Sequence, residues 1–220
     1  MSGDAPRLVP PRMSGDSARL APLRPDQLDE AARVLRDAVL ASPRARGGAR
    51  RILEREDGSL SGPFDAWLRS PELGLHLERV GMALRTATEL PAAAREVAIL
   101  VVARAWGADF EWWVHGLVAR RHGVDEAQLR AIGEGRRPVL GDPACEAAYE
   151  VAAGLVHDRR LDDETAEGAK RVLGERGLVE LVTLVGFYQL VSGVLIAFDP
   201  PPPSVDWPVV GPPSSGDLAR

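Results

Sequence analysis

Glu111 and His115 stand four residues apart in DFEWWVHGLVARRHGV, and a second acid, Glu96, precedes them in PAAAREVAILVVARAW. On a helix this spacing puts both side chains on one face, with His122 further along the same stripe. An imidazole titrates near neutrality and can act as general acid or base. A carboxylate beside it can orient the ring, or keep its own proton in a dry pocket. Each residue also has a plain structural reading. Glu111 suits the first turn of a helix, where a negative charge is favourable by about 0.3–1 kcal/mol. His115 can be a hydrogen-bonded core histidine, and Glu96 can pair with a nearby arginine. The three together are harder to dismiss, because an apolar helix has no packing need for Glu96 and a buried carboxylate is costly unless paired.

The elements that must position these groups read as two helices joined by a Gly-Ala-Asp turn, within 91–124. Pro91 suits a first helical turn, where its missing N–H costs nothing. From Val97 to Trp106 the chain is apolar almost all round, interrupted only by Arg104, which predicts a buried helix. Gly107 is a natural stop, and Asp109 is expected to cap the second helix.

Around this hairpin the periodicity predicts further helices. Leu28, Ala31, Ala32, Leu35, Ala38 and Val39 repeat at helical spacing, so a first helix is expected from Asp26 to about Ala41. Residues 42–62 read as a long polar loop with one turn of helix at most. A short helix is expected around Phe64, Trp67 and Leu68, and another begins at Pro71. His76 lies there and reads as a surface or partly packed residue. Further helices are expected from Asp125 to Ile132, from Pro143 to about His157, and from Asp162 or Asp163 to about Glu175. A last one covers 178–198, apolar enough to raise the question of a membrane span. Glu180, Gln189, Ser192 and two glycines within it favour a buried or subunit-interface helix. No strand pattern emerges, so the expected class is all-α.

A chain of 220 residues can bury a sizeable core. The expected partition is a loose segment 1–25 rich in Pro, Gly, Ser and Arg, one helical domain over 26–198, and a proline-rich tail 199–220 containing four consecutive prolines. A net charge of −5 with one lysine, Lys170, argues against a general nucleic-acid surface. The single cysteine, Cys145, excludes an internal disulfide framework and a CxxC pair. The first 25 residues carry no apolar signal region, and a cytoplasmic location is the expectation.

At the hairpin the sequence resembles the carboxymuconolactone decarboxylase family, which includes the alkylhydroperoxidase-like proteins. The residues that carry the likeness are Arg95, Glu96, Ala98, Ile99, Leu100, Ala103, Gly107, Glu111, Trp112, His115, Ala119 and Gly123. GPFDAWLRSPEL upstream and VGFYQLVSGVLIAFDP downstream extend it to about residues 26–203. The resemblance implies an all-helical bundle that forms homo-oligomers, with a pocket between helices near a subunit contact. In the peroxidase branch a CxxC pair precedes the histidine, and aligning His115 with it puts the cysteine positions at Ala108 and Glu111. Without thiolates no peroxide can be reduced and no dithiol recycled; Cys145 lies outside the motif and reads as buried and inert. What remains is similar to the decarboxylase branch, longer and without CxxC. It implies a cofactor-free carbon–carbon lyase acting by acid–base chemistry on a small carboxylated or lactone-like metabolite. His115 would be the general acid/base, with Glu111 and Glu96 as its partners and no metal. Arg85 and Arg104 are candidates for holding a substrate carboxylate. Two other readings stand beside it. One is a Glu/His metal-site enzyme, although this chain has a single Glu-x-x-x-His. The other is a non-enzymatic helical scaffold, whose sign would be Glu96 and His115 pointing apart.

Overall fold

The computed structural model describes residues 18–46 and 49–200. The expectations for 1–17 and for the polyproline tail from 201 onward lie outside the described residues. The described chain packs into two compact units, one of 88–193 and one of 18–87 with 194–200. Its helices α1–α9 are numbered below in chain order.

In the second of these units, a 3₁₀ turn over Pro25–Gln27 precedes α1, Glu30–Ala41. The sequence places the helix start at Asp26; the working cap is Asp29, whose carboxylate accepts the Ala32 amide at 2.8 Å. Leu28, Ala32, Leu35 and Val39 form its buried stripe. The region read as a loop over 42–62 is more ordered than its glycines suggest. It holds a 3₁₀ turn at Pro43–Ala45, the short helix α2 at Arg50–Leu53, and an isolated antiparallel bridge between Glu54 and Leu60. Then come α3, Pro63–Trp67, and α4, Pro71–Thr86, which starts at Pro71 as read; each has proline in its first turn. Gly74 lets α4 approach closely. A Cβ there would stand 2.5 Å from Leu35 Cδ2 and 2.9 Å from Trp67 Cβ.

Of the segment predicted to be loose, residues 18–25 are held. Arg19 donates from its amide to the Phe198 carbonyl at 3.1 Å and from its guanidinium to Ile196 at 3.0 Å. A helix C-terminus leaves carbonyls without intrahelical donors, and an arginine there satisfies them. Leu23 donates its amide to the buried Asp65 carboxylate at 2.8 Å.

The unit 88–193 is built on α5, Ala92–Trp106, whose Val97–Ala103 run is buried on every face and packs against α6, α7 and α8. The sequence is apolar all round here because the helix meets protein all round. α6 is Asp109–Arg121 and α7 is Glu126–Gly133, opened by a capping box between Asp125 and Gln128. α8, Pro143–Ala153, runs into a π turn over Gly154–Asp158. α9 spans Asp163–Phe198, with non-helical backbone at Gly174, φ 72° and ψ 171°. The sequence separates two helices nearer 175–178; the break falls at the glycine because only glycine takes that conformation without strain. By length and composition α9 is apolar enough to cross a membrane, with a mean hydropathy of 2.0 over an 18-residue window. Leu181, Leu184, Val185 and Tyr188 are buried, whereas Val179, Val182 and Leu190 are exposed. No strand occurs among the described residues. The protein is all-α.

Candidate active site

α5 ends where Gly107 adopts the left-handed conformation, φ 66°, and the Ala108 amide turns back to the Ala103 carbonyl at 2.9 Å. The chain reverses within three residues and α6 returns along α5. Ala108, rather than the expected Asp109, holds the N-cap position of α6. Asp109 falls one residue inside, where its charge still faces the positive end of the helix. This reversal sets the mid-point of α6 against the first third of α5.

There the three predicted groups meet. His115 Nδ1 lies 2.6 Å from Glu96 Oε2, and His115 Nε2 lies 3.0 Å from Glu111 Oε2. Exposure is 0% for Glu96, 3% for His115 and 5% for Glu111. One imidazole therefore bridges two carboxylates, one from each arm of the hairpin. Arg95, next in sequence to Glu96, donates from Nε to Glu96 Oε1 at 3.4 Å. With His115 protonated, two cations face two carboxylates and the cluster is neutral overall. That balance is what allows it to be buried.

The geometry fixes the proton inventory. If both carboxylates are ionised, each nitrogen must carry a hydrogen and the ring is imidazolium. If the ring is neutral, one carboxyl must be protonated. Either way the triad holds two exchangeable protons between its carboxylates. Burial pushes the His115 pKa down, but the Glu96 charge and the hydrogen bonds the ring donates to both glutamates outweigh it, so the pKa lies above the ordinary 6.5. The edge of the ring pair is set by Tyr188 of α9, packed against His115 with centroids 5.0 Å apart and planes at 87°. Both ring nitrogens are engaged by carboxylates, so a metal would have to displace one of them. No group of three or more His, Cys, Asp or Glu arranged to hold a metal ion occurs among the described residues.

The other candidates lie elsewhere. Arg104 is exposed at the end of α5 and donates to the Gly133 carbonyl at 2.5 Å, holding the end of α7. Arg85 is half-buried on α4, near enough to Glu78 to act on its charge. His122 ends α6 and is exposed, as is His76 on α4. Cys145 is buried on α8, and burial with the neighbouring Asp142 pushes its thiol up to about 11. The sequence reading missed Tyr188 as part of the cluster. Its signal was a lone tyrosine in an apolar helix, a residue type that usually finds a polar neighbour when buried. Nor are Glu96 and His115 turned apart, the sign expected of a pure scaffold.

Residues 71–154 match the model described as the carboxymuconolactone decarboxylase family, a stretch that runs from α4 through the hairpin to the end of α8 and contains Glu96, Glu111 and His115. No curated protein matches the chain.

Proposed function

We propose that the carboxymuconolactone decarboxylase-like stretch over 71–154 carries proton-transfer chemistry centred on His115, acting on a small carboxylated or lactone-like metabolite. The observation that supports it is the imidazole held between two buried carboxylates at 2.6 and 3.0 Å. Loss of carbon dioxide from such a substrate leaves an electron pair on carbon, and that carbon must then be protonated. An imidazolium in a water-poor site can give the proton, typically for about 10²–10⁴ in rate. Glu96 is sealed from solvent and stabilises the charged ring from the Nδ1 side. Glu111 is the more open partner, so it is the group through which a proton passes between His115 Nε2 and the reacting carbon. Giving that proton to carbon lowers the triad's total charge by one, and a proton taken up from solvent restores it.

The test is a panel of small carboxylated and lactone metabolites incubated in D₂O. Carbon dioxide release and carbon-bound deuterium in the product are followed together. For a substrate so found, His115→Ala is expected to lose about 10²–10⁴ of the rate. Undiminished turnover in His115→Ala overturns the role.

A further inference from the structure

A second feature of the unit 88–193 is not used by the triad. The last turn of α5, the π turn after α8 and the middle of α9 enclose a cleft of about 730 Å³, within the range of small-molecule sites. Trp106, Leu155, Val182 and Val185 give it an apolar wall, and His157, Arg159 and Gln189 supply its polar groups. No acidic side chain lines it. Among the described residues no carboxylate pairs with Arg159, so a permanent cation faces the cleft.

Two backbone observations indicate that the cleft is built rather than incidental. Arg159 sits in the left-handed region, φ 53°, which costs a side-chain-bearing residue on the order of 1 kcal/mol or more. Its amide and that of Arg160 both return to the Gly154 carbonyl, closing the π turn. Gly154 is required there, since a Cβ would stand 2.9 Å from the Arg160 carbonyl oxygen. The turn thus places Arg159 at the cleft. Gly186 is the second observation. It lies mid-helix, where glycine is about 1 kcal/mol less favourable than alanine. A Cβ there would meet no atom within 4 Å. A side chain at this position would therefore extend into the cleft. Trp106, a large aromatic left 42% exposed, stands at the same cleft.

We propose that this cleft binds an organic carboxylate with a flat apolar body. Its charge would meet Arg159, with His157 and Gln189 as hydrogen-bonding partners, and its body would lie against Trp106 and Leu155. This goes beyond the acid–base reading and does not depend on it, because binding is measured without turnover. The experiment is an NMR titration of the whole protein with phenylacetate, 2-phenylacetamide and acetate, following the Trp106 indole N–H resonance. Phenylacetate is expected to give a saturable shift, with the neutral amide and the bodiless acetate each at least tenfold weaker. Arg159→Gln removes the charge while keeping a polar side chain and the same backbone demand, and is expected to weaken phenylacetate at least tenfold. Gly186→Leu is expected to be as helical as the wild type, with an equal or higher thermal midpoint, and to show no saturable shift. An unshifted Trp106 signal in the wild type overturns the proposal. So does equal affinity for the amide or acetate, and so does phenylacetate binding unchanged in either variant.

Discussion

Glu96 and Glu78 are both glutamates buried inside helices, at 0% and 4% exposure, and they are accommodated by different means. Glu96 sits in a network, with His115 on one oxygen and Arg95 on the other. Glu78 on α4 has Arg44 Nη2 at 3.1 Å from its Oε2, an ion-pair distance without hydrogen-bond alignment for either oxygen. The Arg44 guanidinium also lies 5.1 Å from the Phe64 ring centre. Burial raises the Glu78 pKa above 4.5 despite the opposing charges of Arg44 and Arg85. So one carboxylate has directed partners on both oxygens, whereas the other is left poorly solvated beside a cation. Only the first has a group that titrates near neutrality within hydrogen-bond reach. A buried acid is thus not in itself a sign of chemistry; the partner it is bonded to decides.

The largest expected effect comes from removing the networked acid. Glu96→Ala leaves the imidazole and Arg95 without their shared carboxylate, and is expected to cost about 3–5 kcal/mol in urea unfolding. If it costs no more than Glu78→Ala, the contrast between network and pair is wrong. Replacing the other pair together, Arg44→Met with Glu78→Leu, is expected to be neutral or to stabilise by about 1–4 kcal/mol. A loss of similar size to that of Glu96→Ala would put Glu78 in the same class as Glu96.

The pH dependence separates the two sites by window. His115 has a folded pKa above 6.5, so its stabilising contribution is complete below 6.5 and is lost as pH rises through the folded value. Glu96→Gln keeps the hydrogen-bond acceptor and removes the charge; the His115 titration followed by NMR is expected to move down. An unmoved titration would mean that Glu96 does not set the ring's charge. Glu78 also has a raised folded pKa, so its contribution is present below 4.5 and fades as pH rises through its folded value. In Glu78→Gln the thermal midpoint is expected to lose that acid-side slope, the smallest effect of the set, while the slope above 6.5 stays.

The triad was legible in the sequence because it rests on local geometry. Glu111 and His115 are fixed by helical spacing, and Glu96 stands out as a charge in an otherwise apolar helix. Tyr188 and the Glu78–Arg44 pair were not legible for the opposite reason. Their partners are 73 and 34 residues away, by subtraction of the sequence numbers, and no periodicity links them. Arg104 shows the limit of residue type alone. An arginine near the hairpin suggested a carboxylate clamp, yet it hydrogen-bonds the carbonyl that ends α7. Helix starts were misread by a few residues where two acids competed. Asp26 and Asp29 are both plausible caps, and only the Asp29 carboxylate reaches an amide three residues on. The cleft could not be read at all, because it is assembled from three separate segments and hinges on one left-handed arginine.

The lone cysteine has a practical consequence for every experiment above. Cys145 is buried on α8 with its thiol at about 11, so roughly one molecule in 10⁴ carries the reactive thiolate at neutral pH. Maleimide reagents would label a cysteine introduced on the exposed surface long before they reach the native one. Spin labels or fluorophores can therefore be attached at a chosen position beside the triad or the cleft without first removing Cys145 and disturbing α8.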